Sequence, residues 1–475
     1  MHRCMALHAC LLLVSCVTSS ETPVPSAPVP QTPKNLIMVI GDGFGVQQLG
    51  LFDEYAKRAP SSTFKGRETT LSKLMRTGVL GLSQTATPTT LVVDSAASAT
   101  QLASGVGGNN GSVGMSSEKK PIENVLDRAK HAGRSTGIVS DARVTHATPA
   151  SFAAHALSRS EENAIAEQLA VSNVDLILGG GWRHFVPKDV PGSKRRDQRD
   201  LLLEAQQSGK WVARTRAELL EAGEGSLLGV FSPTGMMDAM TERATRSDPN
   251  RSEPSLPELS EAALARLSKN KKGFVLVVEV AQIDWAGHAN DAGWMLNELI
   301  KLEETLTVLD AFVESRDDTL LVVTGDHETG GFGFTYKSGA TPATQKFALR
   351  LDYGNLDSLD LLAAQKRTAD ALVREFDGGA DRSPERLRAL VATMTPIPFD
   401  ESQAQEVLFG EKSIGGVSLG KDLRTRLMRS LAQKVRAVWS TTGHTSTPVP
   451  VIAIGPGSEQ FRGMLTHPEL GRRFA

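Results

Sequence analysis

The chain has 475 residues, of which 40% are apolar and 22% are charged, and 43 of them are glycines. This composition is typical of a soluble globular enzyme rich in turns, and the length exceeds the usual size of one compact domain. The formal net charge of −2 gives no electrostatic reason to expect a nucleic acid as a partner.

The cysteines Cys4, Cys10 and Cys16 all lie near the start of the chain. Residues 1–16 combine a short basic start with an apolar stretch too short to span a membrane, which predicts a secretory signal peptide. Residues 13–16 also resemble the lipobox of bacterial lipoproteins, in which the cysteine is lipidated and becomes the first mature residue. We therefore expect an exported protein of the periplasm or cell envelope, with a membrane as partner only through a lipid anchor on Cys16. The alternative is an ordinary signal that is cleaved nearby.

Residues 17–33 contain five prolines among small polar residues, which predicts an extended tether. Such a tether could hold a globular body clear of a membrane surface, or it could be a disordered leader without that role. The globular domain is expected to span residues 34–475. It contains no cysteine, and so it has neither a disulfide nor a thiolate that could bind a metal.

Five apolar runs predict buried strands, at residues 35–40, 135–140, 274–280, 319–324 and 449–454. Amphipathic stretches between them predict helices, at residues 121–132, 159–171 and 292–314. Continuous apolar strands that alternate with helices predict an α/β fold, a three-layer α/β/α sandwich. Its large central sheet is expected to be mostly parallel and covered on both faces.

Two stretches interrupt this alternation and are predicted to be insertions. Residues 186–257 are polar and include the charged run 194–200, which favours a solvated surface excursion over a binding patch. Residues 337–440 separate the fourth strand from His444 and predict a crown-like region on the sheet rather than an independent domain.

Metal-ligand residue types accompany each predicted strand. In chain order they are Asp42, His146, Glu279 with Asp284 and His288, Asp326 with His327, and His444. In four of the five cases they follow the carboxyl end of the strand, which is where open α/β sheets place their sites. Carboxylates and imidazoles in such numbers indicate a site that holds cations.

Two further motifs are ambiguous on their own. Asp94 is a good helix N-cap, and Ser95 would lie in the first turn, near free backbone N–H groups that suit a phosphate-like anion. The alternative is a plain capping sequence. Thr148 precedes Pro149 as in a routine helix entry, so a ligand role for it needs outside support.

That support comes from a family resemblance carried by six motifs in order. They are Gly41-Asp42-Gly43, Asp94-Ser95-Ala-Ala-Ser, His146-Ala-Thr-Pro, Glu279-x4-Asp284-x3-His288, Gly325-Asp326-His327-Glu-Thr-Gly-Gly and Gly443-His444-Thr. Together they resemble the alkaline phosphatases over residues 35–465. The resemblance implies metal-dependent hydrolysis of small phosphate monoesters to an alcohol and inorganic phosphate at alkaline pH. It implies a phosphoserine intermediate on Ser95. Dimers are common in the family, and residues 337–440 could either build or block a homodimer interface.

The resemblance also implies two zinc sites and a third site that usually holds magnesium. Their ligands would be Asp284, His288 and His444 for the first zinc; Asp42, Asp326, His327 and the Ser95 oxygen for the second; and Asp42, Thr148 and Glu279 for the third. Arg159 stands at the family's spacing after the His146 motif. It would hold two phosphoryl oxygens through its planar fork, with Asp94 orienting it.

Two residues depart from a common bacterial pattern. His146 stands where some members carry an aspartate, and it could recruit zinc or cobalt to the third site. Trp285 stands where some members carry a lysine near phosphate. We expect weaker phosphate retention and easier product release than in a lysine-bearing enzyme.

Three other functions compete with this interpretation. A sulfatase normally needs a modified cysteine or serine within Cys/Ser-x-Pro-x-Arg, whereas Ser95 is followed by Ala-Ala-Ser. Phosphodiesterases of the same superfamily usually have a threonine nucleophile and lack the third site, for which Thr148 and Glu279 are present here. The remaining alternative is a non-catalytic lipoprotein that binds metal or phosphate.

Overall fold

A ten-stranded sheet forms the centre of the computed structural model, which describes residues 32–338, 351–410, 413–414, 417–418 and 420–474. The predicted signal peptide and most of the predicted tether lie outside the described residues. The strands are β1 Asn35–Gly41, β2 Val79–Gln84, β3 Ser135–Arg143, β4 Leu176–Gly180, β5 Trp211–Ala213, β6 Leu227–Val230, β7 Phe274–Val280, β8 Thr319–Gly325, β9 Glu328–Thr329, β10 Phe332–Phe334, β11 Lys337–Ser338, β12 Leu351–Asp352, β13 Ser413–Ile414, β14 Val417–Ser418, β15 Ala437–Trp439, β16 His444–Thr445, β17 Val449–Ile454 and β18 Gly463–Thr466.

Helices occupy most of the sequence between these strands. They are α1 Val46–Arg58, α2 Thr70–Thr77, α3 Ser95–Ser104, α4 Val125–His131, α5 Ala147–Ala150, α6 Glu162–Val171, α7 Leu201–Gln207, α8 Arg216–Glu221, α9 Ala239–Thr245, α10 Leu256–Leu267, α11 Gln282–Ala289, α12 Ala292–Glu314, α13 Asp357–Ala363, α14 Ala369–Gly378, α15 Pro384–Met394, α16 Glu401–Phe409, α17 Leu423–Lys434 and α18 His467–Arg473. None of the helices within the described ranges is both long and apolar enough to cross a membrane.

The central sheet is mostly parallel, and helices cover both of its faces. Its order is β18-β2-β17-β8-β1-β7-β3-β4-β6-β5. Strand β7 shows why both faces are covered: Leu276 and Val278 belong to one apolar cluster, whereas Val275 and Val277 belong to the other. Successive side chains of a strand point to opposite faces, so the uninterrupted apolar sequence of β7 needs a helical layer on each side. The predicted three-layer α/β fold is confirmed.

All five predicted strands belong to the central sheet, as β1, β3, β7, β8 and β17. Strand β17 is the exception in direction, because it runs antiparallel to both of its neighbours, β2 and β8. The amino end of β17 therefore lies at the same edge as the carboxyl ends of the parallel strands. This explains why His444 precedes its strand while the other candidate ligands follow theirs.

Residues 186–257 were predicted to form a solvated surface excursion, and this prediction is wrong for part of the stretch. Strands β5 and β6 extend the central sheet at one edge, where β6 pairs in parallel with β4. Within the charged run, Arg195 is buried and forms ion pairs with Glu167 and Asp197. Leu227 and Leu228 are buried on opposite faces, so this stretch supplies core as well as surface.

Helices α13 to α17 make up most of the described part of residues 337–440. Helices α14 to α17 pack against one another, and α13 packs on α12. Their buried residues, such as Leu372, Phe376 and Leu427, belong to the same apolar cluster as one face of the central sheet. Strand β15 at the end of this region pairs with β10, which lies just after the candidate ligands of β8.

Candidate metal centre and phosphate site

Three acidic side chains of the candidate site come from the carboxyl ends of adjacent strands. Gly41 of β1 lies opposite Gly325 of β8, so Asp42 and Asp326, which follow them, leave the sheet side by side. Glu279 lies near the end of β7, on the other side of β1. Each of the three carboxylates is at most 1% exposed. The sheet therefore brings three buried acids to one place, where packing alone gives no reason for them.

One group of possible ligand atoms comes from Asp42, Asp326 and His327, and these atoms lie within 4.8 Å of one another. His327 Nε2 lies 3.2 Å from Asp326 Oδ2 and 3.6 Å from Asp42 Oδ1. Ser95 Oγ lies 3.2 Å from the same nitrogen. The serine hydroxyl therefore adjoins two carboxylates and an imidazole, which are ligand types that zinc takes.

A second group is formed by Asp284, His288 and His444. Asp284 and His288 lie four residues apart on one face of α11, with Asp284 Oδ1 and His288 Nε2 3.3 Å apart. His444 Nε2 lies 3.2 Å from His288 Nε2 and 3.6 Å from Asp284 Oδ1. The rings of His444 and His327 stack with centroids 3.6 Å apart, so this group is continuous with the first.

A third group contains Asp42, His146 and Glu279, whose possible ligand atoms also lie within 4.8 Å of one another. Asp42 thus belongs to two groups. Thr148 lies two residues after His146 in the short helix α5, which packs against β7. Its hydroxyl is buried without a hydrogen-bond partner. A carboxylate pair with a hydroxyl suits a hard cation such as magnesium, and the imidazole of His146 also suits zinc or cobalt.

Several polar atoms of these groups are buried and make no hydrogen bond. They are both carboxylate oxygens of Asp42, Oδ2 of Asp326, Oε1 of Glu279, Oγ1 of Thr148 and Nδ1 of His146. Buried polar groups in proteins almost always have partners, and an unpaired buried charge costs several kcal/mol. Cations at this position would give the buried carboxylate oxygens partners of opposite charge. The donor set therefore fits bound metal ions.

The pKa values of the acids show the same crowding. Burial, reinforced by the nearby charges of Asp326 and Asp284, raises the pKa of Asp42 well above its ordinary value. Burial raises the pKa of Glu279 to about 8, and burial with the charge of Asp284 raises that of Asp326 to about 7. Burial lowers the pKa of His327 well below its ordinary value. Without a cation the site therefore favours protonated acids and a neutral imidazole.

Three imidazoles of the site are oriented by hydrogen bonds at the nitrogen that faces away from the cluster. Nδ1 of His288 donates to the carbonyl of Thr442 at 2.6 Å, and Nδ1 of His444 donates to the carbonyl of Val93 at 2.8 Å. Nδ1 of His327 lies 3.2 Å from the hydroxyl of Thr329. Such partners fix the tautomer and leave the Nε2 lone pair for a metal.

The Ser95 side of the site is organised for an anion. Asp94 caps α3, and its carboxylate accepts from the backbone N–H of Ala97 at 3.0 Å and of Gly111 at 3.0 Å. The same carboxylate accepts from Arg159 Nη1 at 3.1 Å. Arg159 lies before α6 rather than on it, and its backbone N–H donates to the carbonyl of Gly111 at 2.7 Å. The guanidinium and the amino end of α3 are therefore held next to one another.

The comparisons with known proteins agree on one family. The family model for alkaline phosphatase matches residues 33–475. The chain belongs to the alkaline phosphatase family. Its relatives include alkaline phosphatase 3 of Bacillus subtilis, which is 30% identical over 92% of this chain and 87% of that protein. The alkaline phosphatase of Schizosaccharomyces pombe is also 30% identical, over 93% of this chain and 80% of that protein.

Solved alkaline phosphatases share the fold. The enzyme of Thermus thermophilus is 28% identical, with a TM-score of 0.77 over 93% of this chain and 90% of that one. A cold-active alkaline phosphatase from a psychrophilic Shewanella is 27% identical, with a TM-score of 0.73 over 92% of this chain and 98% of that one. The protein is thus a metal-dependent enzyme that hydrolyses phosphate monoesters, and the sulfatase, phosphodiesterase and non-catalytic alternatives are not supported.

Trp285 of this alkaline phosphatase lies between the second and third groups. Its ring is half-buried against Gly235, where an added Cβ would lie 2.2 Å from the ring. The edge of the ring also meets His146, with centroids 6.2 Å apart and planes at 83°. Gly235 therefore leaves room for the indole. An aromatic ring occupies the position next to Asp284, and it brings no charge to a phosphate there.

Sequence reasoning missed several residues that hold the ligands in place. Ser140 donates to Glu279, and the carbonyl of Asp326 accepts from His467 Nε2 at 2.7 Å. His467 is fully buried, and burial lowers its pKa to about 4. Neither contact has a sequence signal, because Ser140 and His467 lie far along the chain from the ligands they support.

A buried ion-pair network lies beneath the third group, and no sequence pattern pointed to it. Lys301 of α12 is 1% exposed, and its Nζ lies 3.0 Å from Asp141 Oδ2 and 2.7 Å from Glu298 Oε2. Asp141 Oδ1 accepts from the backbone N–H of Ala281, between β7 and α11, at 2.6 Å. The network therefore fixes the junction that carries the ligands of two groups.

Proposed function

We propose that Ser95 is the nucleophile of this phosphatase and forms a phosphoserine during hydrolysis of small phosphate monoesters. The observation that carries the proposal is the position of Ser95 Oγ, 3.2 Å from His327 Nε2 at the amino end of α3. A hydroxyl at this point meets both the backbone N–H groups that favour a phosphate and the buried acids that favour cations. Within the described site, no other serine or threonine hydroxyl contacts His327 Nε2.

The chain's own groups then bind and orient the ester. The free N–H groups of the first turn of α3 face the phosphoryl oxygens, and Arg159 binds two of them through its fork while Asp94 keeps the guanidinium in place. The Ser95 oxygen attacks phosphorus in line, so that a Ser95 O–P bond forms and the ester P–O bond breaks. The ester oxygen leaves as the alcohol, with the proton that Ser95 gives up. Water then attacks phosphorus and breaks the Ser95 O–P bond, which yields inorganic phosphate and returns a proton from water to Ser95.

We propose that three cations complete the site, two of zinc and one of magnesium. Asp284, His288 and His444 would hold one zinc ion, and Asp42, Asp326, His327 and the Ser95 oxygen the other. Asp42, Thr148 and Glu279 would hold magnesium, and His146 could shift this third site toward zinc or cobalt. When bound, the cations supply positive charge that acidifies the serine hydroxyl and offsets the charge of the phosphoryl group and the leaving oxygen.

The position of Trp285 supports faster release of the product. The ring next to Asp284 cannot donate a charge-assisted hydrogen bond to phosphate as a lysine ammonium could. We therefore expect phosphate to be held chiefly by Arg159, the α3 amino end and the cations, and to leave more readily than from a lysine-bearing enzyme.

We also propose that the chain is exported to the periplasm or cell envelope and anchored by a lipid on Cys16, with residues 17–33 as its tether. The support is the sequence of the first sixteen residues. A homodimer is proposed on the family resemblance. A Cys16→Ser variant that still fractionates with membranes would contradict the anchor, and sedimentation of the purified globular part as a monomer would contradict the dimer.

The decisive experiment measures turnover of an aryl phosphate by the zinc- and magnesium-loaded protein and by a Ser95→Ala variant. Turnover is expected to vanish in the variant and after treatment with a chelator. A phosphorylated protein should be trapped by acid quenching only when Ser95 is present. Ser104→Ala is a matched control, because Ser104 lies in the same helix and its hydroxyl bonds only backbone groups, donating to the carbonyl of Thr100 at 2.6 Å and accepting from the N–H of Val106 at 3.1 Å. Equal turnover by Ser95→Ala and wild type would refute the proposal.

A further inference from the structure

Thr329 lies between three of the candidate ligands, although none of the motifs assigns it a role. It follows His327 by two residues, in β9, and is fully buried. In the antiparallel pairing of β9 with β16, Thr329 lies opposite His444. Its side chain also contacts Asp284 of α11. A single threonine thus contacts or pairs with residues of both proposed zinc sites.

The hydroxyl of Thr329 has one proton, and its two partners determine where that proton goes. Asp284 Oδ1 accepts from Oγ1, which uses the one proton that a hydroxyl can donate. The other neighbour of Oγ1 is Nδ1 of His327, at 3.2 Å. Since the hydroxyl proton is already used, this nitrogen must donate to the hydroxyl oxygen. His327 then carries its proton on Nδ1, and its Nε2 lone pair is left for a cation.

A glycine in α11 permits this contact. Gly287 lies between Asp284 and His288, and a Cβ built at this position would lie 2.8 Å from both Cγ2 and the carbonyl oxygen of Thr329. Any larger residue would therefore push β9 away from α11. The close approach brings the Thr329 hydroxyl within reach of Asp284.

Glu328 fixes the other side of β9. Its buried carboxylate accepts from Gln48 Nε2 at 2.8 Å and from the backbone N–H of Gly331 at 3.0 Å, and it also accepts from Thr445 Oγ1. These contacts tie β9 to α1 and to β16. The backbone of Thr329 is thereby held in one place, so its hydroxyl has a fixed position relative to both ligands.

We propose that Thr329 is a positioning residue that couples the two zinc sites, by donating its hydroxyl proton to Asp284 and accepting the Nδ1 proton of His327. Partners of this kind orient metal ligands and raise their basicity, and their loss typically lowers metal affinity about 10- to 100-fold. Because one hydroxyl serves a ligand of each site, its removal should weaken both zinc ions together rather than one alone. This inference rests on the proposed assignment of Asp284 and His327 as zinc ligands.

The test compares zinc retention by the full-length protein and by Thr329→Val, which keeps the shape of the side chain and removes the hydroxyl. Zinc-loaded protein is equilibrated with increasing concentrations of a zinc chelator, and bound zinc per chain is measured. The variant should lose both zinc ions at roughly 10- to 100-fold lower chelator activity. Thr305→Val is the matched control, because Thr305 is also fully buried and its hydroxyl donates only to the carbonyl of Lys301 at 2.8 Å.

A second readout reports the tautomer directly. Nitrogen-15 NMR of histidine-labelled, zinc-free protein should show His327 protonated at Nδ1 in wild type and in Thr329→Ser, but not uniformly so in Thr329→Ala. The Ser and Ala variants both lack the methyl group and differ only in the hydroxyl, so their comparison remains decisive if Thr329→Val fails to fold. Zinc retention should likewise be close to wild type in Thr329→Ser and reduced in Thr329→Ala.

Three results would overturn the inference. They are wild-type zinc retention in Thr329→Val, loss of zinc from Thr329→Ser to the same degree as from Thr329→Ala, and an unchanged His327 tautomer in Thr329→Ala. A His327→Ala variant separates this failure from failure of the ligand assignment. If His327→Ala loses zinc while Thr329→Val retains it, only the role of Thr329 is refuted; if His327→Ala retains zinc, both proposals are refuted.

Discussion

The crowded acids of the metal centre should make the metal-free protein less stable as the pH rises. Burial raises the pKa of Glu279 from 4.5 to about 8, and burial with the charge of Asp284 raises the pKa of Asp326 from 3.8 to about 7. At any pH between the ordinary and the raised pKa of such an acid, the folded, metal-free chain keeps a proton on it that the unfolded chain has already released. The free energy of unfolding therefore falls as the pH rises through this window. Bound cations remove the effect, because they stabilise the ionised acids.

The size of the effect follows from the number of protons involved. Each acid contributes about 1.4 kcal/mol per pH unit while the pH lies between its unfolded and folded pKa values. Below about pH 6.5, the ordinary pKa of histidine, buried imidazoles such as His467 act in the opposite direction, since they must stay neutral in the fold. Between about pH 7 and 8 Glu279 is still in its window, and we expect a fall of about 1 kcal/mol or more.

The assay is urea denaturation of chelator-treated and metal-loaded protein at several pH values from 6.5 to 8. The metal-free protein should lose stability across the series, and the loaded protein should not. Glu279→Gln should flatten the metal-free curve, because a neutral amide has no proton to lose. The matched control is Glu221→Gln, at an exposed position at the end of α8. A metal-free stability that is constant or rises with pH, or an unchanged slope in Glu279→Gln, would refute the reasoning.

Three further substitutions test other parts of the site. Trp285→Lys should strengthen inhibition by phosphate about tenfold, the effect of one further hydrogen bond of ~1.4 kcal/mol, and slow product release; an unchanged inhibition constant would contradict this. Gly287→Ala should lower the free energy of unfolding by about 1–3 kcal/mol and release zinc more easily, because the added methyl collides with Thr329; wild-type melting and zinc retention would argue against it. Lys301→Met should cost about 3–5 kcal/mol in chemical denaturation, since Asp141 would be left buried without its cation; equal stability would show that the ion pair contributes nothing.

The strands that carry the site could be predicted because their sequences are apolar without interruption. Strands β7 and β17 have the predicted bounds, residues 274–280 and 449–454, and the other three predicted strands are longer than expected at their carboxyl ends. A strand buried on both faces needs no alternation, so its apolar run is visible at once. Strands β5 and β6 could not be found in the same way, because they are short strands of three and four residues within a polar stretch.

The direction of β17 and the contacts between residues far apart in the chain could not be predicted from the sequence. Nothing in residues 449–454 states that β17 runs antiparallel, since this depends on which strands it pairs with. The position of His444 before its strand was the one available sign. Arg159 was placed on a helix by the apolar pattern of residues 159–171, whereas α6 begins only at Glu162, and Arg159 lies in a loop held by the backbone of Gly111.

The junction between β7 and α11 shows why the metal groups are expected to respond together. Strand β7 ends at Val280 and α11 begins at Gln282, so Glu279 of the third group and Asp284 of the second are separated by a single rigid turn. Trp285 follows Asp284 directly, and its ring reaches the third group. Because Asp141 and Lys301 hold this turn through the backbone of Ala281, a shift of the turn would move ligands of both groups at once. Substitutions in this support should therefore change zinc and magnesium retention together, whereas a change confined to one metal would place the flexibility of the site elsewhere.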